Sequence, residues 1–97
     1  MILSFGDRST EDLFHGRNTR NSRRIATSIR TTAIRKLDLL NAASILEDLR
    51  VPPGNRLEAL KGDYKGMHSI RINQQWRLIF EWTDGGAESV HIINYHR

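Results

Sequence analysis

The chain has no cysteine among its 97 residues. Disulfides, thiol nucleophiles and thiolate metal sites are therefore excluded, which fits the cytosol. No apolar run approaches membrane-spanning length. The opening Met1–Asp7 is too short and too soon charged for a secretory signal. The expectation is a soluble, cytoplasmic protein. Repeats, linkers and low-complexity segments are missing too, as are a phosphate-cradling glycine loop and the nucleophile elbow of hydrolases. Lysine is scarce, with three residues against twelve arginines, in a chain of net charge +4 and pI near 10.1. Arginine offers phosphate a planar, bidentate fork, so this bias favours an anionic partner such as nucleic acid. The alternative is a basic exterior that is merely solvated.

What is present suits a single domain spanning residues 1–97, with a core large enough to fold alone. Apolar content of 38% and charged content of 27% give no sign of disorder. Met1–Phe5 reads as an opening strand ended by Gly6-Asp7. Thr10 can cap a short helix over 11–15, stopped by Gly16, and a basic loop follows over 17–24. Ile25, Ile29, Ala33, Leu37 and Leu40 recur at helical spacing, with Arg23, Arg30 and Arg35 off that stripe. A further helix is expected over 42–49, its Ala43, Leu46 and either Leu49 or Ile45 inward, closed by Pro52-Pro53-Gly54.

The second half changes period. Ile70 and Ile72 alternate with Ser69, Arg71 and Asn73, and Trp76, Leu78, Phe80 and Trp82 alternate with Arg77, Ile79 and Glu81. Asp84-Gly85-Gly86 signals a turn before a last strand over 88–95. The fold class predicted is α+β, an antiparallel meander with helices on one face. Register then bears on function. Facing residues of a hairpin share one side of the sheet. If Ile72 pairs with Trp76, Ile70 meets Leu78 on the apolar face and Arg71 meets Arg77 on the other. A two-residue turn at Gln74-Gln75 would set Ile72 against Arg77 and bury charge. Paired arginines repel one another, which suggests a bound anion.

These segments carry a resemblance. Leu57-Glu58-Ala59-Leu60-Lys61-Gly62-Asp63, His68-Ser69-Ile70-Arg71-Ile72-Asn73, Gln75-Trp76-Arg77-Leu78 and the terminal Asn94-Tyr95-His96 occur in the order seen in one toxin group. Ser4-Phe5, Arg35-Lys36-Leu37 and Asp48-Leu49-Arg50 fit as well. The chain resembles, over nearly its whole length, the HigB branch of the RelE/ParE superfamily of bacterial toxins, and within it the GraT-like members. The resemblance implies a RelE-like compact domain and a type II toxin that cleaves mRNA in the ribosomal A site without metal or other cofactor. It also implies a HigA-like helix-turn-helix antitoxin as partner, the complex of the two binding operator DNA through the antitoxin.

Such cleavage has the 2′-oxygen attack phosphorus and expel the 5′-oxygen, which needs a base, an acid and cations around the phosphorane. Resemblance gives Arg77 the family's strand arginine, a clamp on the scissile phosphate. Lys61 takes the active-site lysine, to stabilise the phosphorane or pass a proton. Tyr95 and His96 match the C-terminal Tyr-His pair: His96 as acid or base, Tyr95 as proton donor or stacking platform. Glu58 stands where some members carry His; it could act as general base, and an ion pair with Arg56 or Arg71 is the preferred reading. Asn94 replaces a frequent Asp, which removes a carboxylate from any relay there. Arg56, Arg71 and Asn94 are read as RNA contacts, and Arg20, Arg23, Arg24 and Arg30 as ribosomal RNA or antitoxin contacts, or as a solvated face. His68 and His91 lie on strands without the cluster a metal needs, and Trp76 and Trp82 belong to the core. Two other functions stay open: a ParE-like toxin that poisons gyrase, and a non-catalytic basic module that only binds nucleic acid.

Overall fold

Asp7 opens the first helix of the computed structural model, which describes residues 1–95. Its carboxylate accepts the Thr10 amide at 2.8 Å, and α1 runs Arg8–Phe14. Thr10, expected as the cap, thus lies one turn inside. Its hydroxyl accepts the Ile92 amide at 3.1 Å and ties the helix to the last strand. A charged carboxylate suits the cap because it gains from both the free amide and the helix dipole. Asp12, almost fully buried on this helix, fastens the basic loop that follows. Its Oδ2 accepts the Thr19 hydroxyl at 2.7 Å, and Arg17 Nη1 lies 3.3 Å from its Oδ1. The Thr19 hydrogen bond, with help from Arg17, holds the Asp12 carboxyl below the ordinary carboxylate range.

The long helical stripe is realised in two parts, a 3-10 turn over Thr27–Ile29 and then α2 over Arg30–Ala42. Ile25, Ile29, Ala33, Leu37 and Leu40 are all buried, as their spacing requires. The helix expected over 42–49 does not form. Ala43 is extended, and Asp48 Oδ2 accepts the amides of Ser44 at 2.9 Å and Ile45 at 3.2 Å. A short carboxylate that captures amides in this way offers the backbone an alternative to the helix. Only a 3-10 turn, Leu46–Arg50, remains, with Ala43 and Leu49 buried and Ile45 exposed.

Four antiparallel strands follow in the order β1 (Glu58–Ala59), β2 (His68–Arg71), β3 (Trp76–Thr83) and β4 (Gly86–Asn94). β1 is too short to have shown in the residue pattern. The register is the one the apolar rows demand: Ile70 faces Leu78, Arg71 faces Arg77, and the Ile72 amide donates to the Trp76 carbonyl at 3.0 Å. Helices pack against the Ile70, Leu78 and Phe80 side, where the main core lies, and Trp76 and Trp82 sit half-buried against it. The opposite side carries Glu58, Ser69 and Ile79 in one row and Arg71, Arg77 and Ile93 in the next. That side is less polar than expected, since Ile79 is fully buried there.

The opening strand is corrected to an extended segment with two isolated parallel bridges, Ile2 to Ala87 and Phe5 to Val90. It lies flush on β4. At Gly86, with φ +137°, a Cβ would come within 2.2 Å of the Met1 carbonyl oxygen.

Candidate functional site

Arg77 sits near the start of β3 with 7% of its surface exposed, so it is a buried arginine and not a solvated strand residue. Its Nη1 donates to Ser69 Oγ at 3.0 Å and to the Arg56 carbonyl at 3.3 Å, and Glu58 Oε1 lies 3.3 Å away as its ion-pair partner. The Tyr95 ring covers one face of the guanidinium, 5.1 Å from Cζ to the ring centroid. All the recorded bonds fall on one nitrogen. Among the described residues, Nε and Nη2 make no hydrogen bond, and together they form a complete bidentate edge. A charge held this way needs little reorganisation when an anion arrives.

Each partner comes from a separate local device. Ser69 stands beside Glu58 in the β1–β2 register, so both point toward Arg77 from the neighbouring strands. Arg56 follows a 3-10 turn, Pro53–Asn55, and adopts the left-handed conformation at φ 46°, which turns its carbonyl inward. Tyr95 lies one residue past β4, and its amide donates to the Gln75 carbonyl at 2.7 Å. The expectation named Arg56 or Arg71 as the ion-pair partner of Glu58; the pair that the structure records is with Arg77.

Glu58, Ala59, Leu60, Lys61 and Tyr95 line a cleft of about 310 Å³. Lys61 is exposed there, ahead of a 3-10 turn at Gly62–Tyr64. Arg71 is half-buried opposite Arg77, the Arg56 side chain is exposed, and Asn94 is exposed at the end of β4 opposite Trp76. His96 lies outside the described residues. Arg20, Arg23 and Arg24 are exposed on the basic loop, away from these residues in the chain, and the Arg30 Nε donates to the Ile25 carbonyl at 3.0 Å. Among the described residues no group of three His, Cys, Asp or Glu could hold a metal ion, and no helix is long and apolar enough to cross a membrane.

Sequence reasoning missed Ser69, and also Asn55, a fully buried amide whose Nδ2 donates to the Leu49 carbonyl at 3.1 Å. Ser69 was legible in retrospect as the small polar residue between His68 and Ile70 on the Arg71 side of the strand. Nothing in the sequence pattern flagged Asn55.

A four-stranded antiparallel sheet with helices on one face and a braced arginine on the other defines the class. Two solved structures share the fold: YafQ from E. coli, with a TM-score of 0.63 at 19% identity over 97% of this chain and 91% of that one, and a chain of the YoeB–YefM complex from Staphylococcus aureus, with a TM-score of 0.57 at 15% identity over 100% and 99%. Residues 3–96 match the family described as the RelE-like toxin of type II toxin-antitoxin system HigB. The chain is 45% identical over 92 residues to Toxin HigB-1 of Vibrio cholerae, covering 95% of each. It is 37% identical over 41 residues to Endoribonuclease HigB of Proteus vulgaris, covering 42% of this chain and 45% of that one. The chain belongs to the HigB-like toxins, and is thus the toxin of a toxin–antitoxin pair.

Proposed function

We propose that this toxin is a metal-independent endoribonuclease that cleaves mRNA in the A site of the translating ribosome. It acts in the cytoplasm and is neutralised by a HigA-like helix-turn-helix antitoxin. The observation that carries the reading is the Arg77 guanidinium, braced through Nη1 and held against Glu58 and Tyr95, two residues that line the cleft with Lys61, while its Nε–Nη2 edge makes no hydrogen bond among the described residues. That edge matches two phosphate oxygens. The name of the Proteus vulgaris relative supports the nuclease assignment.

In this mechanism the 2′-oxygen attacks the adjacent phosphorus, and the 5′-oxygen leaves with a proton. Arg77 and Lys61 carry the charge that builds on the phosphorane. Tyr95 and His96 move the protons, and Glu58 orients Arg77. Arg71, Arg56 and Asn94 hold the RNA on either side of the scissile bond. Positioned acid–base groups of this kind contribute about 10²–10⁴-fold.

The test is primer-extension mapping of mRNA on purified translating ribosomes, for wild type, Lys61→Ala, Arg77→Lys and His96→Ala. Cuts within the A-site codon that require ribosomes and fade in all three variants are the expected result. Intact mRNA at doses that still arrest growth would sink the reading and turn attention to gyrase. Variants that keep full activity while salt weakens binding would mark a non-catalytic basic module.

A further inference from the structure

Arg77 is gripped on the sheet face turned away from the helices, yet its grip begins on a helix. Lys36 of α2 donates through Nζ to the Oδ1 of Asn55. Asn55 is completely buried, and its Nδ2 donates in turn to the Leu49 carbonyl at 3.1 Å and the Val51 carbonyl at 3.4 Å. From the end of the Pro53–Asn55 turn, one side chain thus ties the Lys36 side chain of α2 to two carbonyls, Leu49 in the Leu46–Arg50 turn and Val51 just after it. The residue after Asn55 is Arg56, whose left-handed backbone aims its carbonyl at Arg77 Nη1. Two residues further on is Glu58, the carboxylate partner of the same nitrogen. One of the two acceptors that orient Arg77, and its carboxylate partner, therefore hang from the segment that Asn55 anchors.

We infer that Lys36 and Asn55 are positioning residues for Arg77, linking α2 round the β1 side of the sheet to the guanidinium that meets the scissile phosphate. This rests on the proposed nuclease function for its catalytic readout. The choice of residue types fits the task. Asn supplies an acceptor toward the lysine and two donors toward carbonyls, so a single amide satisfies all its partners while buried. Lysine reaches it from a half-buried place on α2 while keeping contact with water, although burial and the neighbouring Arg35 pull its pKa below the usual lysine value. A purely structural staple would leave turnover of folded protein untouched. A positioning link would not, because small displacements of a catalytic cation cost rate: a shift of about 1 Å can cost about 10²-fold.

The experiment compares wild type, Lys36→Met and Lys36→Arg, with Asn55→Ala as a harsher variant in case the milder change is absorbed. The first readout needs no activity: the ¹⁵N side-chain resonances of Arg77 in the isolated toxin. In wild type, restricted rotation should separate Nη1 from Nη2. In Lys36→Met the two should merge, while the thermal midpoint and amide spectrum stay those of a folded protein, and Lys36→Arg should restore the separation. The second readout is ribosomal mRNA cleavage, where Lys36→Met should lower kcat by about 10- to 100-fold with KM within about twofold, by the same displacement argument. Unchanged Arg77 resonances in both folded Lys36→Met and folded Asn55→Ala would overturn the inference, whatever the protein's activity. A wild type with separated resonances but no cleavage would instead overturn the nuclease reading and leave the link standing.

Discussion

Arg77 looks in the sequence like any arginine of an alternating strand, and only the structure shows that it is buried. Its two hydrogen-bond acceptors and its carboxylate partner all gather at one nitrogen, which makes that end structural and leaves the Nε–Nη2 edge for the proposed phosphate. Glu58 belongs to the structural end. Its side chain keeps about a third of its surface in water, so the pair with Arg77 is worth less than a fully enclosed one. Glu58→Gln should therefore cost about 1 kcal/mol of stability. It should leave ribosomal cleavage within about tenfold of wild type, whereas removing a general base would cost about 10²–10⁴-fold. Single-turnover rates of folded Glu58→Gln separate the two roles. The residue types were legible in the sequence, but the partner of Glu58 was not. Partner choice depends on which row of which strand a side chain occupies, and β1 is two residues long.

Elements differ in how far their own residues dictate them. The α2 stripe and the β2–β3 register followed from spacing because each has a wide apolar face that a slip would expose. The stretch 42–49 has helical spacing and does not become a helix, because Asp48 captures the amides of Ser44 and Ile45. Periodicity cannot weigh such a competition. Asp12 sets a similar local device on the basic loop, and it gives a pH dependence. Its folded pKa lies below the ordinary value of 3.8, so its contribution is present above that value and is lost as pH falls through the folded one. Denaturant titrations across acid pH should show wild type losing stability there with a steeper slope than Asp12→Asn. Equal slopes would mean that the carboxylate does not hold the loop.

Across the whole molecule, charge is unevenly answered. Arg71 faces Arg77 across β2 and β3; Arg77 pairs with the Glu58 carboxylate, and among the described residues no ion pair is recorded for Arg71. Two facing cations destabilise the free protein and favour an anion-bound one. A short RNA added at low salt should accordingly raise the thermal midpoint; at about 100 times its Kd the gain is about 2.7 kcal/mol. High salt should erase the gain, and Arg71→Gln should reduce it. The folding class and order of the candidate site residues could be read from the chain, since the helices and the meander each have a clear period. The brace behind Arg77 could not, because it joins α2, a proline-rich turn and two strands that lie far apart in sequence. That brace also shapes how the toxin can be lost. One of its two acceptors is the Arg56 carbonyl, which no side-chain exchange deletes, so it can be removed only by changing the backbone path. In a selection for cells that survive unopposed toxin, disabling changes should therefore fall on the turn that sets this path as well as on the cleft. A map of survivors would draw the scaffold along with the active centre.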